Sequence, residues 1–201
     1  KIIYTTTEIV PGPAGQSFVV PVSGGEPRPF SIGPWGGFGG RGIGANRWID
    51  ESHFVTDRVV EFKRREIYVG DTAGGQPKLV HEEVKDAFWS MTGGAQGGPQ
   101  ASPNGQWISF LSDRDGWDHL YVMPASGGPA VQVTRGAFEA WRPSWSPDGT
   151  RIAFDSNEGS NPGSRHIGVA AITGDPARAT VTMVTSGRGT HTMSQWSPDG
   201  G

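Results

Sequence analysis

The stretch WSPDG at residues 145–149 returns at 196–200, and a near copy, ASPNG, stands at 101–105. Ser102, Ser146 and Ser197 thus open three turn motifs spaced 44 and 51 residues apart. A second marker keeps the same period. VSGG at 22–25, AGG at 73–75, ASGG at 125–128 and ITGD at 172–175 place Gly24, Gly74, Gly127 and Gly174 at intervals of 50, 53 and 47. Two independent markers with one shared period define an internal repeat. Within the motif, Pro147 presets φ for the first corner of a turn, Asp148 tolerates the second, and Gly149 accepts positive φ. Pro103 and Gly105 repeat that arrangement, as do Pro198, Asp199 and Gly200. Such a loop closes a hairpin and pins the register of the strands it joins. Trp145 and Trp196 bring a large apolar surface to the same place each time, which suits packing between sheets.

Outward from the turn, every repeat parses alike. RIAFDSN (151–157) and WISFLSD (107–113) follow it, then RHIGVAAI (165–172) and HLYVMPAS (119–126). A glycine turn leads to TVTMVTS (180–186) or AVQVTRG (130–136), and a segment ending in Trp, AFEAWRPSW (137–145) or GTHTMSQW (189–196), closes the cycle. Four short strands per repeat of this length predict an all-β chain built as a β-propeller of four-stranded antiparallel blades. The strands are almost continuously apolar, as expected where neighbouring blades cover both faces. An eroded copy stands at RWIDESHFVTDR (47–58), with Trp48 in the place of Trp145, and RREIYVGDT (64–72) and QPKLVHEE (76–83) complete it. KIIYTTT, SFVVPVS and PRPFS, within residues 1–47, read as a blade lacking its first strand. The expected division is a partial blade at 1–47, blades at 48–100, 101–144 and 145–195, and a further one opening at 196. About four blades are therefore present. An array broken in mid-blade at both ends predicts more chain, and its open edges invite association with a second copy.

Composition agrees. Gly (32) and Pro (16) make up nearly a quarter of the 201 residues, yet eight Trp and nine Phe argue for packed cores with many tight turns. A net charge of −3 carries no basic footprint for nucleic acid. There is no cysteine, hence no disulfide or thiolate metal site, and the compartment stays open between cytoplasm and periplasm or exterior. No apolar run approaches a membrane span.

The repeats with WSPDGTRIAF resemble the propeller repeats of TolB-like proteins and of the prolyl oligopeptidase family of serine peptidases. FLSDRDGWDHLYVMPASGG (110–128) and RREIYVGDTAGGQPKLVHEEVKDAFW (64–89) are similar to blades of dipeptidyl-peptidase-IV-like members. The resemblance covers most of 44–201. It implies a propeller that gates or docks peptide substrate for a C-terminal α/β-hydrolase domain of the same parent chain. The alternative is a TolB-like binding propeller without enzymatic activity. A propeller glycosidase is disfavoured, because the acids cluster in turns instead of recurring at one strand position per blade. The residues agree with the first division of labour. No serine has glycine at both flanking second positions, so the Gly-x-Ser-x-Gly nucleophile elbow is missing. The five histidines (53, 81, 119, 166 and 191) recur at no common spacing, and no catalytic residue is assigned.

Two further stretches carry chemistry. Glu82 and Glu83, in HEE at 81–83, resemble the paired glutamates that anchor a substrate's amino terminus in dipeptidyl peptidases; the plain reading is two solvated acids at a strand end. Asp113, Asp115 and Asp118 in SDRDGWDH hint at calcium, but Gly116 falls at position four instead of six and no position-twelve glutamate follows. No metal and no cofactor is assigned. GFGGRG at 37–42 matches a dinucleotide fingerprint only formally, because no strand precedes it and no helix follows.

Overall fold

The computed structural model describes residues 2–6, 16–30, 47–86, 98–159 and 163–200, and its strands gather into four antiparallel sheets. The first holds β1 (Ile2–Thr6), β2 (Gln16–Val20) and β3 (Arg28–Phe30). The second holds β4 (His53–Val60), β5 (Arg64–Asp71) and β6 (Lys78–Val84), and Trp48 adds a single bridge to Phe54. The third runs β7 (Gln100–Ala101), β8 (Trp107–Ser112), β9 (His119–Pro124) and β10 (Val131–Gln132). The fourth runs β11 (Ala140–Trp145), β12 (Arg151–Ser156), β13 (His166–Ala171) and β14 (Thr180–Met183). In each sheet, neighbours in space are neighbours in sequence. GFGGRG and most of the glycine-rich stretch at 91–100 lie outside the described residues.

One strand assignment needs correcting. The sequence reading closes a blade with the Trp-bearing segment 137–145. The ladder instead pairs Ala140 and Trp141 with Ser156 and Asp155, and Ser144 and Trp145 with Ala153 and Ile152. The segment opens the fourth sheet, and β10 ends the third. The reason is local: a tight turn forces the two strands it joins into one hairpin. β7 does the same one repeat earlier, where Ala101 opposes Ile108 across the ASPNG turn.

Strand parity explains the continuous apolar runs. On β8, Ile108 and Phe110 point toward the second sheet and pack with Val55 and Ile67. Leu111 points the other way and packs with Trp145, Ile152 and Phe154 of the fourth. Tyr121 and Met123 divide from Leu120 and Val122 in the same manner on β9. Every one of these faces is sealed by the next sheet, and each large side chain so buried stabilises the fold by roughly 1.5–3 kcal/mol.

The turns add a polar knot at the sheet ends. Ser146 Oγ donates to Asp148 Oδ1 at 2.5 Å and accepts from Arg151 N at 2.9 Å, while Asp148 also accepts from Thr150 N and Oγ1. The hydrogen bonds from Ser146 and Thr150 hold the Asp148 carboxyl down to about 2. Ser102 and Asn104 reproduce the knot. Successive turns also touch: Asn104 Nδ2 donates to Gly149 O at 3.0 Å, and a Cβ on Gly149 (φ 68°) would stand 2.7 Å from Asn104 Cγ. In the eroded copy Asp50 takes over, accepting from the backbone of Ser52 and His53. Although burial opposes its ionisation, those bonds bring its carboxyl to about 2.

Trp145 ties the sheets together. It is 8% exposed, and its indole N–H donates to Ser109 Oγ of the preceding sheet at 2.9 Å. Trp196 does likewise to Ser144 O at 2.9 Å. A second repeated device is a glycine beneath a phenylalanine. Phe54 faces Gly70 and Phe154 faces Gly168, and a Cβ on either glycine would lie within 2.4 Å of the ring. Trp145→Ala removes both packing and hydrogen bond and is expected to cost about 3–5 kcal/mol; an unchanged urea midpoint would refute the inter-sheet role. The β4–β5 turn places Glu61 (φ 51°) and Phe62 (φ 56°) in the left-handed region, with Lys63 N closing onto Val60 O at 3.0 Å. Asn tolerates that conformation far better than Glu, so Glu61→Asn should raise stability by up to about 1 kcal/mol in thermal unfolding.

Candidate functional site

Charge enters the interior where the second and third sheets meet, at the end marked by the β8–β9 turn. Strand parity sends Arg65, like Ile67 two residues on, into the interface, and it is 2% exposed. Its guanidinium holds Asp57 Oδ2 through Nε and Nη2 at 3.2 and 3.1 Å, and Nη1 donates to Leu111 O of the third sheet at 2.7 Å. Asp57 also takes a bond from Arg47 Nη1 at 2.9 Å. Cross-strand from Arg65 stands Glu83. Its Oε1 accepts from Ser112 Oγ at 2.6 Å and forms an ion pair with Arg114. His81 Nε2 lies 3.8 Å away, beyond hydrogen-bond reach. Oε2 is buried and has no hydrogen-bond partner among the described residues. Arg114 in turn lies over the Tyr121 ring at 4.1 Å and takes part of its orientation from Ser112 Oγ, 3.0 Å from Nε.

Burial raises the Glu83 carboxyl, while His81, the Ser112 hydrogen bond and the Arg114 and Arg65 charges lower it by more, so it sits below the ordinary glutamate value. The cluster is therefore ionic at neutral pH. Its chemistry is cohesive and receptive, not nucleophilic. Ser112 donates its proton to Glu83, a carboxylate that the Arg114 and Arg65 charges make a weak base for activating the oxygen. Buried His119 is equally committed: Nε2 donates to Gly136 O and Nδ1 accepts from Thr134, both at 3.0 Å.

The structure does not bring Glu82 and Glu83 together. Successive strand residues point to opposite faces, so Glu83 is buried while Glu82 is exposed and stands opposite Glu66. Asp113 pairs with Lys85, and Asp115 accepts from Gln132. Among the described residues no group of three His, Asp or Glu side chains is arranged to hold a metal, and no helix is long and apolar enough to cross a membrane. Arg65, Asp57, Ser112 and Arg114 were absent from the sequence-derived site. A charged residue at the core parity of an apolar strand, as in RREIYV, is the signal that marks Arg65.

Blades packed face to face and tied by turn motifs of fifty-residue period define a β-propeller, of which this chain forms an incomplete array. The model of the dipeptidyl peptidase IV (DPP IV) N-terminal region matches residues 18–201, and the chain belongs to that family. It is 30% identical over 108 residues to a probable dipeptidyl peptidase 4 of Emericella nidulans, a match covering 48% of this chain and 14% of that one. Two solved structures share the fold. The dipeptidyl peptidase 4 of Porphyromonas gingivalis has a TM-score of 0.58 at 14% identity, over 94% of this chain and 28% of that one. TolB of Acinetobacter baumannii has a TM-score of 0.56 at 19% identity, over 98% and 44%. The chain spans 62% and 14% of the length of the first two curated relatives it matches.

Replacing Glu83 by Gln removes the carboxylate that pairs with Arg114 and stands cross-strand from Arg65, and is expected to destabilise the fold by about 3 kcal/mol. Because the folded carboxyl lies below its unfolded value, its contribution is complete above about pH 4.3 and disappears as pH falls through the folded value. Urea unfolding from neutral to acid pH should therefore show a shallower acid loss in Glu83→Gln than in the parent. Parallel pH profiles would show that the buried ion pair contributes nothing.

Proposed function

We propose that this chain is the non-catalytic propeller of a serine peptidase of the dipeptidyl-peptidase type, gating or docking peptides for a hydrolase domain elsewhere in the parent protein. The observation that carries the reading is the family match over residues 18–201 in a stretch without a Gly-x-Ser-x-Gly elbow. Hydrolysis of a peptide bond needs an activated nucleophile and an oxyanion hole, and Ser112, the one serine inside the polar cluster, stands beside a carboxylate that the Arg114 and Arg65 charges make a weak base. A ring of rigid blades instead offers a walled approach to a separate active site, where size and end-group charge of a peptide can be discriminated before chemistry. Dry inter-blade cores and buried ion pairs supply the rigidity that such discrimination requires.

A TolB-like binding propeller is the second reading, favoured by the likeness to TolB over 98% of this chain. The two separate on one experiment. A fluorogenic dipeptide substrate is offered to this chain and to the complete protein that contains it, with the reading frame sequenced to its end. Turnover by the complete protein alone, together with a later Gly-x-Ser-x-Gly followed by Asp and His, is the expected result. Activity in this chain by itself, or a frame that ends without the elbow, overturns the peptidase reading.

A further inference from the structure

Of the four asparagines in the chain, only Asn104 is followed by glycine. It stands where the next turn has Asp148, and the two side chains are spent differently. Each holds its own turn in the same way. Asp148 Oδ1 accepts from Ser146 Oγ at 2.5 Å and Thr150 N at 3.0 Å, and Asn104 Oδ1 accepts from Ser102 Oγ at 2.7 Å and Gln106 N at 3.1 Å. They differ at the second terminal atom. Asp148 Oδ2 stays within its turn, accepting from Thr150 Oγ1 at 2.8 Å. Gln106 has no hydroxyl to offer at the matching position, and Asn104 Nδ2 crosses to the next turn, donating to Gly149 O at 3.0 Å and to Asp148 O at 3.4 Å. Both acceptors are carbonyls, so a carboxylate oxygen in the place of Nδ2 would set acceptor against acceptor.

We infer that Asn104 is a self-modifying site: it deamidates through Gly105 when the turns of the third and fourth sheets part, and the product cannot close that contact again. In the reaction the Gly105 backbone nitrogen gives up its proton and attacks Asn104 Cγ. The new N–Cγ bond closes a five-membered succinimide, the Cγ–Nδ2 bond breaks, and the amide nitrogen leaves with a proton as ammonia. Water then opens the ring. Attack at Cγ gives aspartate; attack at the main-chain carbonyl gives isoaspartate, whose backbone runs through Cβ and Cγ. Glycine favours the first step because no Cβ crowds its nitrogen, and Asn104 is exposed, so water reaches the ring. The folded turn withholds the reaction twice. Gly105 N donates to Ser102 O at 2.9 Å, and an amide held on Gly149 O cannot at the same time turn back onto its own backbone. Release of that hold is a local opening between two blades. Aspartate at 104 keeps the bonds of its own turn, as Asp148 does, and loses only the donor across the border. Isoaspartate adds a backbone atom to a four-residue turn and loses the turn as well.

The test holds the chain at mildly alkaline pH, folded or in urea, and follows acid formation at each asparagine by peptide mapping in a mass spectrometer. Conversion should centre on Asn104 and run at least about tenfold faster in urea. Gly149→Ala, whose methyl would stand 2.7 Å from Asn104 Cγ, drives the turns apart and should speed the reaction of the folded chain at least about tenfold. Ile67→Ala loosens the core on the other side of the third sheet and should leave the folded rate near that of the parent. Asn104→Asp, which makes the product directly, should fold with a lowered urea midpoint. Equal rates in the folded chain and in urea, an acceleration by Ile67→Ala as large as by Gly149→Ala, or an Asn104→Asp chain with the parent's midpoint overturns the inference.

Discussion

A small sheet whose middle strands are apolar on both faces has no stable existence in water until each face is covered. That condition governs β8 and β9: Phe110 and Tyr121 need the second sheet, and Leu111 and Leu120 need the fourth. Helices could cover such faces, but the turns that join the strands of the third sheet are too short to form them. The remaining cover is another sheet of the same kind, which leaves its own far face bare. Repetition is thus a consequence of two-sided burial in sheets with short turns, and closure around an axis is how such an array comes to an end.

Stacking apolar sheets leaves their mutual register loosely specified, since hydrocarbon contact has no direction. Three directional contacts cross the borders between sheets. The indole N–H of Trp145 reaches Ser109, Asn104 reaches the backbone of the next turn, and Arg65 reaches Leu111 O. Each of these partners belongs to a different repeat from its donor. The buried ion cluster at Glu83 belongs to the same class of contact. Its desolvation makes it a poor source of net stability, but a rotation of one blade against the next would part Arg65 from Leu111 O and Glu83 from Ser112 and Arg114. It therefore selects one packing among several that hydrocarbon alone would tolerate.

The fold was legible because turn chemistry is local. Pro, Asp and Gly in WSPDG each answer a backbone demand visible within five residues, and positive φ at Gly105, Gly149 and Gly200 meets that demand. Sheet membership was less legible. Periodicity shows that the Trp-bearing segment recurs but not which neighbour it bonds, and only the tightness of the Ser-Pro-Asp-Gly hairpin shows that Trp145 looks forward to Ile152. The polar cluster was hidden for a different reason. Asp57, Arg65, Glu83 and Ser112 come from four strands in two repeats, and no spacing in the chain announces their meeting. Glu83 was singled out for its neighbour Glu82, yet strand alternation divides that pair, and the partners of Glu83 turn out to be Ser112 and Arg114.

Low identity to propellers of the same shape follows from these requirements. A blade position asks for apolar character at a given parity, a glycine where a ring or a neighbouring turn lies close, and a side chain able to cap the turn. Asp148, Asn104 and Asp50 meet the last demand with two residue types, each accepting from the backbone N–H two residues on, and Phe54 over Gly70 matches Phe154 over Gly168 in otherwise divergent strands. Such constraints fix residue classes and leave identities free. Sequence can then drift widely at the blade ends, where a propeller meets its ligand or its neighbouring domain, while the stack of sheets behind them stays the same. Differences in what related propellers bind should for that reason concentrate in the loops between blades and at the ends of strands such as β6, not in the Trp-bearing hairpins that hold one blade to the next.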